Sequence, residues 1–147
     1  MPCSQFRTLP GYDKLSARPL TRSMEDYLEM ICRLCLQDSF VRIHDLAERL
    51  HVKPSSASKM AALLKEQGYV AYEKYGVLMP TDKGWKAGRY LLYRHDVIQH
   101  FLCLVNQTED ELEQTEKIEH FLTADTVKNL ELLTQYLACD SLWPPLG

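Results

Sequence analysis

The stretch DLAERLHVKPSSASKMAALLKEQG, residues 45–68, constrains the fold more than any other part of the chain. Ile43, Leu46, Ala47 and Leu50 fall on one helical stripe, and Met60, Leu63 and Leu64 on a second. Between them Pro54, with its fixed φ and no N–H, reads as the first turn of a new helix, and Gly68 reads as its stop. Two amphipathic helices joined so tightly must cross steeply and share a core with a third element, which is a helix-turn-helix. The preceding SMEDYLEMICRLCLQ supplies that element. It places Met24, Tyr27, Leu28, Ile31, Leu34 and Cys35 on one stripe, with Ser23 as N-cap and Asp26 at the capping-box position. The following YVAYEKYGVLMPT has the aromatic and β-branched residues of two short strands about a turn at Gly76. Helix, short helix, turn, helix and two-stranded ribbon, in that order, make a winged helix-turn-helix.

The rest reads as all-helical. A long helix is expected from Thr81 to about Val105, and further helices from near Thr108 and near Thr123, the last ending near Cys139. The chain is therefore expected to be mainly α, with an N-terminal arm over 1–22, a DNA-binding domain over 23–81, a helical domain over 82–140 and a tail over 141–147. The arm holds three prolines and a glycine without sustained period and is expected to be loosely docked.

Charge divides along the same boundary. Up to His100 there are 15 basic against 11 acidic residues, and beyond it 2 against 9. A basic-leaning front and an acidic back imply two jobs. No apolar run approaches the length of a membrane span and no secretory signal opens the chain, so a cytoplasmic protein is expected. Cys3, Cys32, Cys35, Cys103 and Cys139 are odd in number and scattered, the pattern of reduced, mostly buried thiols. Cys32 and Cys35 have zinc-like spacing but lie inside a predicted helix with no second pair.

After Pro54 the exposed positions Ser55, Ser56, Ser58 and Lys59 offer small donors and a cation to a DNA groove, at a helix N-terminus that favours phosphate. Arg42, Lys53 and Lys74 would add backbone contacts. Taken singly, the serines cap a helix and the lysines are solvated; the ordered set favours double-stranded DNA.

The acidic half contains TEKIEH, residues 115–120. Helical spacing puts Glu116, Glu119 and His120 on one face, where like charges repel unless a cation intervenes. Asp26 and Glu29 have the same spacing on the first helix, and His95 lies within the long one. Each has an ordinary explanation: a capping residue, a solvated acid, a hydrogen-bonded core histidine. Convergence of all six would gather four carboxylates and two neutral imidazoles, ligands for two hard or borderline divalent ions.

From about Ser23 to Leu137 the chain resembles the diphtheria-toxin-repressor and manganese-transport-repressor family (DtxR/MntR) of metal-dependent transcription regulators. The resemblance is carried by SMEDYLEMI, DLAERLHVKPSSASKM, YEKY, YRH and EKIEH, in order. It implies a metal site built from Asp26, Glu29, His95, Glu116, Glu119 and His120. Iron-responsive members carry a thioether where Asp26 stands and a thiol where Glu116 stands, so the carboxylates here imply a manganese sensor. Mn²⁺ is expected at two per protomer, with Fe²⁺, Zn²⁺, Co²⁺ or Cd²⁺ as other occupants. The resemblance further implies a homodimer on a palindromic operator, repression of manganese uptake, and neither enzymatic activity nor a small organic substrate. Because the chain ends soon after the last predicted helix, the SH3-like third domain of many iron-responsive relatives is not expected. Leu92, Ile98, Phe101, Leu130, Leu133 and Tyr136 are expected at the dimer surface.

Some positions depart from the family pattern. Gln99 stands where relatives have glutamate, Gly76 where they often have arginine, and Pro80 removes a strand donor. His44, His51 and His100 match no family role. Three alternatives stay open: a regulator of this family answering another metal, a metal-independent winged-helix regulator, and a dinuclear hydrolase. The last lacks an evident nucleophile, acid or substrate pocket.

Overall fold

The computed structural model describes residues 8–13, 18–73, 75–140 and 143. Lys74, Cys3, half of the expected arm and most of the tail lie outside these.

After a short helix α1 (Leu9–Asp13), Leu20 is buried, so the end of the arm is docked into the core. Helix α2 spans Arg22–Cys35, two residues ahead of the expectation. Thr21, in extended conformation, caps it by accepting from the Met24 N–H at 3.3 Å, so Ser23 is not the cap and Asp26 is free of any capping-box role. Strand β1 (Val41–Arg42), α3 (Ile43–Arg49), α4 (Pro54–Glu66), β2 (Val70–Glu73) and β3 (Val77–Pro80) complete the winged helix-turn-helix. Two residues give β1 no sequence signal. It exists because Val41 and Arg42 pair antiparallel with Leu78 and Val77, making β3 the centre of a three-stranded sheet.

Gly68 (φ 80°) turns the chain out of α4. At the wing tip Tyr75 (φ 75°) and Gly76 (φ 73°) are both left-handed, and Tyr75 is 95% exposed. Leu63, expected inside, is 38% exposed, and Met60 is half-buried, because only Ala57, Ala61 and Leu64 of α4 face the core.

Helix α5 (Asp82–Asn106) is capped by Thr81 and is about 37 Å long at ~1.5 Å per residue. It runs from the DNA-binding half into the second half. Its glycines permit close approach: a Cβ on Gly84 would lie 1.9 Å from the Tyr69 carbonyl oxygen, and one on Gly88 2.2 Å from the Cys32 sulfur. α5 ends at Gln107 in left-handed conformation. The helix expected near Thr108 begins at Leu112, because Thr108 donates to the Glu111 carboxylate at 2.8 Å and Asp110 accepts from the Leu112 N–H at 3.0 Å, forming a turn first. Helix α6 (Leu112–Ile118) passes into a 3₁₀ turn, Glu119–Phe121, and α7 (Ala124–Cys139) follows with Thr123 as cap.

One core lies among α2, α3, α4, the sheet and the start of α5; a second, smaller one joins Val97, Ile98 and Leu102 to Val127. Ile98 is therefore interior, not dimer surface. Cys32 and Cys35 are buried free thiols, with burial pushing them up to about 12 and about 11; Cys103 is half-buried and Cys139 exposed. Among the described residues no helix is long and apolar enough to cross a membrane.

Candidate metal centre

Three elements converge where α2, the middle of α5 and the 3₁₀ turn meet. The first turns of α2 present Glu25, Asp26 and Glu29, α5 presents Arg94 and His95, and the 3₁₀ turn presents Glu119 and His120. Glu119 is only 1% exposed.

Two groups of ligand-type atoms form, each within 4.8 Å: Asp26 with Glu119 and His120, and Glu29 with His95 and Glu119. Nε2 of His120 lies 2.9 Å from Oδ1 of Asp26 and 3.8 Å from Oε1 of Glu119. Nδ1 of His95 lies 2.9 Å from Oε2 of Glu119 and 3.6 Å from Oε1 of Glu29. Glu119 thus offers one oxygen to each group. Adjacent ligands of an octahedral ion with bonds of about 2.1 Å stand roughly 3 Å apart, so these spacings suit a small divalent cation with little rearrangement. The donors are carboxylates and imidazoles, with no thiol among them.

Without metal the carboxylates are held by neighbouring cations and imidazoles. Glu29 accepts from Arg33 at 2.8 Å, but burial and the charge of Glu119 still raise its carboxyl above the usual range. The hydrogen bond to Glu119 raises His95, against its burial. Burial alone would lower His120; hydrogen bonds and the charges of Asp26 and Glu25 instead lift it to about 9. The expected set of carboxylates and two imidazoles comes together here, Glu116 apart, with the imidazoles between the acids.

Of the six residues singled out, five fall into these groups. Glu116 does not: it is exposed on the wall of a cavity of about 360 Å³, shared with Asp26, Glu29, Met30, Leu50, Glu113, Lys117 and Glu119. Lys117 there pairs with Glu113. A larger open groove of about 560 Å³ beside α3 is also acidic, with Asp38, Asp45 and Glu48, but none of its residues belongs to either group. Gln99 points away and donates to Asp110 at 3.1 Å.

Sequence reasoning missed Glu25 and Arg94. Nδ1 of His120 lies 2.7 Å from Oε2 of Glu25, which also accepts from Nη2 of Arg94 at 2.9 Å. Burial would raise Glu25, but the bonds from His120 and Arg94 hold it below the usual carboxylate range. Both residues stand beside recognised ones, in the quoted SMEDYLEMI and YRH, and that adjacency was the available signal.

The comparisons with known proteins agree along the chain. Residues 19–78 match the family described as iron dependent repressor, N-terminal DNA binding domain, and residues 81–141 match its metal binding and dimerisation domain. The HTH-type transcriptional regulator MntR of Bacillus velezensis is 40% identical over 121 residues, 82% of this chain and 85% of that protein. The chain belongs to the iron-dependent repressor (DtxR/MntR) family. Like the family, it is a metal-dependent transcriptional regulator with a DNA-binding and a dimerisation domain, and not an enzyme.

Solved structures share the fold. The manganese regulator SloR superposes with a TM-score of 0.69 at 26% identity, covering 80% of this chain and 55% of that one. The hypothetical protein SSo2273 from Sulfolobus solfataricus gives 0.56 at 27% identity, covering 85% and 95%. This chain thus spans about half the length of SloR and nearly all of SSo2273.

Of the residues expected to meet DNA, Arg42, Lys53, Ser55, Ser56 and Lys59 are exposed and Ser58 is half-buried. No side chain caps α4, whose first residue is Pro54. His44, His51 and His100 are exposed.

Proposed function

We propose that this regulator senses manganese, binding two Mn²⁺ per protomer, and that the loaded homodimer represses manganese uptake by gripping a palindromic operator. The observation that carries this is the sharing of Glu119 between two donor groups of oxygen and imidazole nitrogen only. The MntR relatives add to it.

In this reading Asp26, Glu119 and His120 would hold one ion and Glu29, His95 and Glu119 the other, with Glu116 on the adjoining cavity wall available as a further carboxylate. Bound ions supply the positive charge that lets four carboxylates share one site. Nε2 of His120 would have to be unprotonated to act as a donor, so metal uptake would release protons. Asp26 and Glu29 belong to α2, which packs on the helix-turn-helix; Glu119 and His120 lie beyond α5. Holding these together fixes α2, and with it α4, relative to the dimerising helices. Arg42, Lys53, Ser55, Ser56, Ser58, Lys59 and Lys74 are the proposed DNA contacts, with α4 in the major groove. Fixing the spacing of two α4 helices makes metal and operator binding reciprocal. A shift from mostly incompetent to mostly competent needs roughly 5 kcal/mol of differential binding.

The test is Mn²⁺ titration of metal-free protein by calorimetry with electron paramagnetic resonance, followed by a gel shift. Saturation near two ions with spin coupling, and Mn²⁺-dependent retardation of operator DNA, is expected. Uptake of a single uncoupled ion would remove the shared role of Glu119, and tighter operator binding with Fe²⁺ than with Mn²⁺ would change the signal.

A further inference from the structure

We propose that Glu25 is a positioning residue of the metal centre: it fixes the His120 ring so that Nε2 faces the ion, and Arg94 is the buried counter-charge that keeps Glu25 out of the ligand set. This rests on the assignment of the cluster as a metal site.

The geometry divides the ring of His120 in two. On one side Nε2 faces Asp26 at 2.9 Å and Glu119 at 3.8 Å. On the other, Nδ1 faces Glu25 at 2.7 Å. Both nitrogens face carboxylates, which only accept, but only Nε2 faces members of a donor group; when Nε2 supplies its lone pair to an ion, the remaining hydrogen stays on Nδ1 against Glu25. Carboxylates behind ligating histidines set tautomer, ring orientation and basicity in this way.

Arg94 holds Glu25 in that task. It is 4% exposed, and its Nη2 donates at 2.9 Å to the same Glu25 oxygen that faces the imidazole. Its Nη2 also lies 3.4 Å from Nδ1 of His120; both atoms carry hydrogens, so this is proximity and not a bond. If Glu25 swung toward the ion it would strand a buried guanidinium without a counter-charge, a costly arrangement. Glu25 accordingly belongs to neither donor group, although it adjoins Asp26 in sequence. His95 differs, since its Nδ1 faces Glu119 and Glu29 directly. The two imidazoles therefore enter the site through different nitrogens, and Glu25 accounts for the choice at His120.

The experiment uses the full chain, its histidine nitrogens isotopically labelled, loaded with an NMR-active cadmium isotope. In wild-type protein, cadmium coupling to Nε2 of His120 and a slowly exchanging Nδ1–H are expected. Glu25→Ala should weaken one of the two ions by about 10- to 100-fold in calorimetry and lose the slow Nδ1–H. Glu25→Gln, whose amide oxygen can still accept from Nδ1–H, should recover the Nε2 coupling and most of the affinity. Rescue by Gln separates positioning from a general loss of fold. Cadmium coupling to Nδ1, or unchanged affinity in Glu25→Ala, would overturn the proposal alone. So would equal weakening in both variants with the Nδ1–H signature intact, the sign of a direct ligand. Wild-type protein that takes up neither Cd²⁺ nor Mn²⁺ would overturn the metal assignment as well.

Discussion

The two halves of the molecule bury their side chains differently. In the DNA-binding half, Leu28, Ile31, Leu46, Leu64 and Leu78 form the centre of a continuous apolar core spanning every element. In the second half the core is Val97, Ile98, Leu102 and Val127, and α7 buries only Val127 while Leu132, Leu133 and Tyr136 stay exposed, Tyr136 at 69%. The seam between the halves is polar: Glu29, Arg94, His95, Glu119 and His120 are all buried there. One half is held by apolar burial across its elements, while the other buries fewer apolar side chains and meets the first through charged groups. Those are the places where an ion or an operator can act on it.

The strongest way to break this contrast is at the shared carboxylate. Glu119→Ala removes a donor from both groups, and should cost on the order of 100-fold or more in Mn²⁺ affinity, at least the upper effect of losing a supporting residue. Calorimetry should show both ions weakened and the gel shift should lose its metal dependence. Loss of only one ion would mean the groups are independent. Next in size is the exposed face of α7. In this dimerisation domain, Leu133→Glu with Tyr136→Glu should give monomers at micromolar concentration in sedimentation, with the thermal transition of the DNA-binding half little changed. A dimer that survives both charges would move the interface elsewhere.

Legibility in the sequence follows how local each cause is. The helix-turn-helix was readable because Pro54, Gly68 and the stripes of α3 and α4 act within a few residues. Strand β1 was not, since only pairing with β3 makes two residues a strand. The site was legible as a set of residue types but not as a geometry. Glu116, Glu119 and His120 were placed on one helical face, yet α6 ends at Ile118. Glu119 and His120 belong to the 3₁₀ turn and are buried, whereas Glu116, still on α6, stays exposed on the cavity wall. Glu25 and Arg94 escaped because their partnership spans 69 positions and depends on the rotation of two helices that no local pattern records.

The seam can also be tested without touching a charge. Gly88→Ala drives a methyl into the Cys32 sulfur where α2 and α5 touch, and should cost about 1–3 kcal/mol in denaturant unfolding. Shortening the obstacle with Cys32→Ala should restore much of that loss in the double variant, although the single Cys32→Ala change destabilises on its own. Additive losses would mean that the close approach of the two helices does not limit stability, and would weaken the view of α5 as a rigid link between the halves.

The smallest effect is expected at the far end of the coupling. Lys59 is exposed on α4, away from both donor groups. If it meets a phosphate, Lys59→Gln should weaken operator binding evenly across DNA sequences and reduce the salt slope by about 1 per protomer, because one fewer counterion is released. If it reads a base edge instead, discrimination against a changed base pair should fall by roughly 1–3 kcal/mol with the slope less affected. In either case Mn²⁺ stoichiometry in the absence of DNA should stay at the wild-type value. A change in stoichiometry would show that α4 and the metal centre share more than the position of α2, and the two halves could no longer be treated as a reader joined to a conditional frame.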